Sequence, residues 1–236
     1  MSLTKTETHE LSVGTAPRLI VRNTAGTVAV QPGADGHVRV VVTKKVRGGL
    51  GAASERDLEQ VVVHVTQEGD TISVETETTR WPISLKSVTI DIAITVPATC
   101  AQLEARLSAG NLVVRGLTTT LAAIVNAGNL DALGVTLRGG SDLALNAGNL
   151  TMDGALAPGA TLDARLNAGN ARFTLPRDTP AQLDARTTVG QISVSGWQVL
   201  TERQIVQQRA RGALGAEPTG SLRIHVDAGN LTLLAR

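Results

Sequence analysis

A short motif of the form Asn-Ala-Gly-Asn recurs through the second half of the chain and constrains its fold more than any other feature. Its glycines between 110 and 190 are 18, 20, 21 and 21 residues apart, and a last copy follows after 39 residues. Self-similarity at this period is typical of a solenoid, in which each repeat forms one coil stacked on the next. The glycines and the asparagines after them are Gly110, Asn111, Gly128, Asn129, Gly148, Asn149, Gly169, Asn170, Gly190 (followed by Gln191), Gly229 and Asn230.

Apolar residues flank these glycines at intervals of two. Before Gly110 they are Leu103, Ala105 and Leu107, and the later copies repeat the pattern. Alternation with period two predicts strands whose alternate side chains point inward. The segment from Leu19 to Val30 has the same pattern around Gly26, so we interpret it as the first coil.

The repeated residues suit the corners of such coils. Glycine adopts positive φ and permits close approach of two backbones at the least steric cost. Asparagine tolerates turn geometry, and stacked asparagines can form hydrogen-bonded ladders. We therefore favour a structural role for the corners over an Asn-lined groove that binds a sugar or an ion.

Composition fits a narrow interior. Hydrophobic residues make up 42% of the chain, but aromatic residues only 1%. The core must therefore consist of leucine, valine, isoleucine and alanine, which can stack in layers.

The pattern divides the chain into a polar N-terminal tail, residues 1–16, and one β-helix domain, residues 17–236. Short helical turns are expected at 54–60 and in the charged segment 201–211. The domain is expected to contain an irregular section of meandering strands, the regular coils, an insertion and the last coil, at 17–97, 98–196, 197–220 and 221–236.

The last coil, 231–234, lies two residues from the end of the sequence, and it is expected to leave an unpaired strand edge at the end of the solenoid. Such an edge invites pairing with another chain. Either the insertion covers this edge or another subunit does, and we therefore predict a homo-oligomer.

Charge and cysteine content argue against several classes of function. The net charge is +1, from 22 basic and 21 acidic residues, which offers no footprint for nucleic acid or a membrane surface. Cys100 is the sole cysteine, so no intrachain disulfide can form. The first 13 residues do not resemble a signal peptide, and no apolar run is long enough to span a bilayer. As written, the sequence predicts a soluble, cytoplasmic protein. A leader missing from it would indicate an exported or envelope-associated one.

Outward-facing carboxylates align in the repeats, and three of them have an arginine two residues later. We expect Asp163 and Arg165 to stack on Asp184 and Arg186 as a solvated charge ladder, rather than as the paired acids of a glycosidase. The four histidines lack metal-ligand spacing. No catalytic residue, metal site or cofactor is predicted. The expected interaction surface comprises these polar columns and one tryptophan: Arg106, Asp163, Arg165, Asp184, Arg186 and Trp197. Trp81 and Trp197 are expected to cap the ends of the solenoid.

The order of features resembles the bacterial putative-adhesin β-helix proteins, also called toast-rack domains. The resemblance rests on Val21-Arg22-Asn23-Thr24-Ala25-Gly26-Thr27-Val28, on Ile94-Thr95-Val96-Pro97 before the coils, and on the closing Gly212-Ala213-Leu214-Gly215 and Asp227-Ala228-Gly229-Asn230-Leu231. It implies a single-chain right-handed parallel β-helix with coils of about 18–21 residues. Members of the family are often linked by genomic context to cell-envelope stress systems.

Our first hypothesis is therefore a non-enzymatic scaffold that presents one flat sheet face to a protein partner. A polymer-forming structural β-helix, like the bactofilins, is the alternative. A surface adhesin or carbohydrate-binding protein is less favoured, because aromatic platforms for sugars are almost absent.

Overall fold

A computed structural model describes residues 2–47, 58, 61–78, 87–204 and 206–236. The helical turns predicted at 54–60 fall, apart from Leu58, outside the described residues, as does Trp81. The elements are all β-strands, and they are β1 (Ser2–Ser12), β2 (Arg18–Pro32), β3 (His37–Arg47), β4 (Val61–Glu68), β5 (Thr71–Thr78), β6 (Ser87–Val96), β7 (Thr99–Arg115), β8 (Thr118–Leu137), β9 (Gly140–Leu156), β10 (Thr161–Leu175), β11 (Ala181–Val189), β12 (Ile192–Ser195), β13 (Leu200–Arg203), β14 (Gln208–Ala213), β15 (Gly220–Ala228) and β16 (Leu231–Ala235).

Strands β7 to β10 stack in parallel and in chain order, and the expected all-β, solenoid-like fold is present. Each of these strands passes through its corner glycine, and we call the parts before and after it the first run and the second run. In the last two coils the runs are separate strands: β11 and β15 are first runs, and β12 and β16 are second runs. Strand β2 pairs in parallel with β7, with Gly26 opposite Gly110, which confirms the interpretation of 19–30 as a coil.

The corner glycines lie directly on one another. Gly128 has φ +138°, and a Cβ there would overlap the carbonyl oxygen of Gly110. Asparagine side chains join the same corners, since Asn129 Nδ2 donates to Asn111 Oδ1 at 3.0 Å and Asn149 Nδ2 donates to Asn129 Oδ1 at 3.2 Å. Local chemistry therefore fixes the register of the whole stack, as the motif predicted.

The core lies between the first and second runs. Alternate residues of both runs are buried, and they are small or branched: Leu103 and Leu112 are both 0% exposed. Phe173 is the one aromatic side chain among the fully buried residues that the structure describes. The period-two pattern thus correctly predicts which side chains fill the interior.

The N-terminal tail expected at 1–16 is wrong for most of its length. Strand β1 pairs with β3 along its entire length in antiparallel register. Strand β3 is half apolar, with Val40 and Val42 fully buried, and its other edge pairs with β6. A polar strand rich in charge is suited to the outermost position of a sheet, where it discourages further pairing. The polarity of this segment therefore indicates an edge strand rather than a tail.

The last coil does not end the stack. Strand β15 lies between β10 and β11, and β16 lies between β10 and β12. The terminal coil carries the intact Asp-Ala-Gly-Asn corner and two fully buried leucines, Leu231 and Leu233. Strand β12 has the degenerate corner, and its Ile192 and Val194 are only partly buried. The inner place thus goes to the coil with the intact corner, whose Asn230 bonds Asn170 on one side and Gln191 on the other. The expectation of an unpaired edge at 231–234 is wrong.

The insertion forms a hairpin, not the helix expected at 201–211. Strands β13 and β14 pair antiparallel, and β14 continues the sheet by pairing antiparallel with β11. An open sheet edge leaves backbone N–H and C=O groups without partners, and β14 supplies them for β11. Among the described residues no helix is long and apolar enough to cross a membrane.

Candidate interaction surface

Two rows of outward side chains cross the first runs of the last coils. In the first row, Asp163 of β10, Arg223 of β15, Asp184 of β11 and Arg211 of β14 are successive Cα partners. In the second row, two residues further along, Arg165, His225, Arg186 and Arg209 are successive partners. We call these eight residues the charged face.

The predicted stacking of Asp163 and Arg165 directly on Asp184 and Arg186 is wrong. Strand β15 separates the two pairs, so Arg223 lies between the aspartates and His225 lies between the arginines. Sequence reasoning missed Arg223, His225, Arg209 and Arg211. The apolar alternation of 221–226 ahead of an intact corner was the signal that this segment could occupy an inner position.

Ion pairs on the charged face are unevenly distributed. Arg165 donates to Asp163 at 3.1 Å along its own strand. Asp184 receives two hydrogen bonds from Arg209, at 3.0 and 2.6 Å, and Arg211 Nε lies 3.6 Å from the same carboxylate. Two aspartates therefore pair with three arginines: Asp163 pairs with Arg165, and Asp184 pairs with both Arg209 and Arg211.

Arg223 and Arg186 make no ion pair and no side-chain hydrogen bond with the part of the chain that the structure describes. Both side chains are exposed. His225, between them on the surface, bonds Asp227 at 2.6 Å. The centre of the charged face thus holds two guanidinium groups that are free to bind.

A shallow open depression lies over β15. Its lining consists of Asp163, Arg165, Asp184, Arg186, Arg223, Ile224 and His225. A second depression continues toward the β13–β14 hairpin and shares Arg186 and His225 with the first. The charged face is therefore a broad, polar and shallow surface rather than an enclosed cavity.

The other two predicted surface residues lie apart from this face. Arg106 sits in the second row on β7 and pairs with Glu104 at 3.2 Å, with Ile124 and Ala144 between it and Arg165 along the row. Ile124 is 41% exposed, so an apolar stretch separates Arg106 from the charged face. Trp197 packs against the core, donates from Nε1 to the carbonyl of Arg177 at 2.9 Å, and lines a different depression.

The corner residues form the border of the charged face. The asparagine ladder continues from Asn149 through Asn170 to Asn230, whose Oδ1 accepts the backbone N–H of Gln191 at 3.2 Å. A second ladder joins Asn126, Asn146 and Asn167. Within the described ranges no group of three or more His, Cys, Asp or Glu side chains is arranged to hold a metal ion.

No protein-family model matches the chain, and no curated protein matches it in sequence. Several solved structures are similar. A putative cell adhesion protein from Clostridium sporogenes superposes with a TM-score of 0.52 at 12% identity, covering 98% of this chain and 100% of that one. A putative adhesin from Bacteroides fragilis gives 0.35 at 10% identity, covering 97% of each chain. A putative lipid binding protein from Parabacteroides distasonis gives 0.29 at 12% identity, covering 98% and 94%.

The second and third TM-scores are too low to support an argument. The first shows a common fold over the full length of both chains, while an identity of 12% shows nothing finer than the fold. The resemblance to the putative-adhesin proteins is thus confirmed at the level of the fold, which this chain shares with a bacterial putative cell adhesion protein.

Proposed function

We propose that the chain is a non-enzymatic binding module of the β-solenoid type, which presents its charged face to a protein partner. The observation that carries this proposal is the pair Arg186 and Arg223, two exposed guanidinium groups that pair with no carboxylate of the described residues, on adjacent strands of the stack. Repeat proteins characteristically bind partners on such long regular surfaces.

Rigidity supports the proposal. The corner glycines and the two asparagine ladders hold neighbouring strands in one register, at the spacing of about 4.8 Å that is usual in sheets. Side chains of the charged face therefore start from fixed backbone positions, and binding does not lose free energy to ordering of this backbone. An adhesin-like role in binding is consistent with the name of the C. sporogenes protein.

Finer features of the fold belong to the same proposal. We expect right-handed winding, which parallel crossovers favour. We also expect coils of about 18–21 residues. We expect no catalytic activity. A link to a cell-envelope stress system is the biological setting that the family resemblance suggests. Our prediction for location remains the cytoplasm, with the envelope or export as the alternative, and cell fractionation tests it.

A polymer-forming, bactofilin-like role is the second candidate, and the ends of the stack argue against it. The described first-run sheet ends in the antiparallel hairpins β4–β5 and β13–β14, and the second-run sheet begins with the antiparallel strands β1 and β3. Head-to-tail stacking needs open parallel ends, and among the strands that the structure describes β12 alone offers one. Filaments in electron micrographs would favour this candidate.

Site-specific photo-crosslinking in the native cell tests the proposed function. A benzoylphenylalanine at Gln182, exposed on β11 four residues before Arg186, should capture a discrete protein partner, whereas the same residue at Arg172, exposed on the second run of β10, should not. Capture at neither position, or equally at both, would contradict binding through the charged face. A homo-oligomer remains our prediction, and capture of a second copy of the chain, supported by sedimentation, would identify it.

A further inference from the structure

We propose that the charged face binds the carboxylate groups of an acidic segment in the partner protein, through Arg165, Arg186 and Arg223. This inference rests on the proposed function and specifies the chemistry of the partner.

The three arginines surround one point on the surface. They belong to the three adjacent strands β10, β11 and β15, with β15 in the middle. Arg223 is offset by one row from Arg165 and Arg186, which lie on either side of His225. With strands about 4.8 Å apart and about 6.6 Å between rows, one carboxylate can contact two of the guanidinium groups. These four residues all line the depression over β15.

The local charges leave Arg186 and Arg223 available. Like charges directly opposite on adjacent strands destabilise a sheet, and Arg186 lies opposite Arg209. Asp163 is bonded to Arg165, and Asp184 is occupied by Arg209 and Arg211. The carboxylates at the margin are Asp227, bonded to His225, and Glu202, whose Cα partner is Arg209. None of them neutralises Arg186 or Arg223, so an added carboxylate would form charge-assisted hydrogen bonds with these two arginines without displacing an existing ion pair, and Arg165 adds its charge from the neighbouring strand.

The chemistry of the surroundings favours an acidic protein over other polyanions. Asp163 and Asp184 alternate with arginines in the first row, so a densely charged phosphate backbone would face repulsion there. Separate carboxylates can avoid these positions. Rings on which sugars or bases could stack are nearly absent, at 1% of the chain. Further along the second row, Ala144 and the exposed Ile124 offer an apolar area that suits a peptide side chain.

Binding of fluorescent poly-L-glutamate, followed by anisotropy, tests the inference on the whole chain. The test variant carries Arg165→Ala, Arg186→Ala and Arg223→Ala. Its matched control carries Arg115→Ala, Arg138→Ala and Arg172→Ala, which removes the same charge at exposed positions outside the charged face. We expect the test variant to bind about tenfold more weakly or worse, and the control to stay within about twofold. Binding should weaken by about fivefold between about 50 and 300 mM salt.

Equal losses in both variants would overturn the inference, because they would indicate a response to net charge alone. Preference for polygalacturonate or for phosphatidylglycerol vesicles over poly-L-glutamate would also overturn it, in favour of a glycan or a membrane. Circular dichroism and thermal unfolding establish that both variants fold. If crosslinking at position 182 captures a partner without an acidic segment, this inference fails while the proposed function stands.

Discussion

Arg209 donates two hydrogen bonds to Asp184, from Nε at 3.0 Å and from Nη2 at 2.6 Å. These bonds attach the β13–β14 hairpin to strand β11. A bidentate pair of this kind is among the stronger interactions between charged side chains. Both side chains are 32% exposed, and solvent therefore weakens the pair.

Replacing Asp184 by asparagine should loosen the hairpin. We expect the free energy of unfolding to fall by about 1 kcal/mol, because Arg209 and Arg211 both lose their carboxylate. Hydrogen exchange should accelerate in β13 and β14 but not in β8 and β9. Asp163→Asn is the control, since Asp163 bonds Arg165 on its own strand and joins no two elements. Unchanged exchange in the hairpin would show that its backbone pairing alone holds it.

A methyl group at a corner glycine should be far more costly than one at an exposed turn. In Gly128→Ala the new Cβ overlaps the carbonyl of Gly110, so the two coils must separate, and we expect a loss of about 3 kcal/mol or more. Gly159 also has positive φ, +74°, but nothing lies within 4 Å of a Cβ there. Gly159→Ala should therefore cost only the strain of about 1–2 kcal/mol. Urea unfolding measures both, and equal costs would mean that close stacking is not what requires glycine.

The asparagine ladder should stabilise the stack most at its inner positions. Asn129 Oδ1 accepts both the backbone N–H and the side-chain amide of Asn149, each at 3.2 Å. In Asn129→Ala these donors lose their acceptor, and we expect a cost of about 1–2 kcal/mol. Asn126, at the end of the other ladder, accepts one bond from Asn146 at 2.9 Å and is exposed. Asn126→Ala should cost about 0.5 kcal/mol, and thermal unfolding of the two variants compares them directly.

Acid should unfold the N-terminal strands first. Burial tends to raise the pKa of Glu7, but hydrogen bonds and charge from Lys44 and Lys5 outweigh it and hold that pKa below the ordinary 4.5. Burial also tends to raise the pKa of Asp91. The hydrogen bonds from Lys45 and the Thr27 N–H, with the charge of Lys45, outweigh this effect and hold that pKa below the ordinary 3.8. Groups with depressed pKa values stabilise the fold above their unfolded values.

This stabilisation should therefore be complete above about pH 4.5 and decline as the pH falls through the folded pKa values of the two groups. Hydrogen exchange below pH 4 should rise earlier in β1 and β3 than in β8 and β9. Glu7→Gln should flatten the acid side of the stability profile, because it removes one titrating group. An unaltered profile in that variant would assign the acid response to other carboxylates.

Cys100 should be unreactive while the chain is folded. Burial raises the pKa of its thiol, against the smaller effect of nearby hydrogen bonds, and the thiol donates to the carbonyl of Pro17 at 3.1 Å. Because the thiolate is the reactive form, labelling by a thiol reagent should be about a hundredfold slower in native buffer than in urea. Fast native labelling would reveal opening between β2 and β7, where this residue lies.

The sequence predicted those parts of the fold that local chemistry determines. Glycine at positions such as 128 and asparagine at positions such as 129 lock each corner onto its neighbour, so the motif alone reveals the register of β7 to β10. The alternation around the corners likewise identifies the buried side chains. These rules operate within one repeat and its neighbour, and they can be read from spacing.

The order of the last coils could not be read in this way. Even spacing from Gly169 to Gly190 suggests that β11 follows β10, yet β15 lies between them. Competition between two coils for one inner position depends on the contacts each would make with both neighbours, and spacing within one repeat does not contain that information. The same competition determined the candidate site, because Arg223 and His225 arrive on the charged face with β15.

The inner position of β15 and β16 also bears on synthesis of the chain. A ribosome delivers β11 well before β15, so β11 and β12 emerge while their partners in the native sheet are still missing. Growth of the stack in order of translation can proceed as far as β10 and must then wait. The module can close only after nearly all of it has been translated, which makes its completion a late and concerted event rather than the addition of one more repeat.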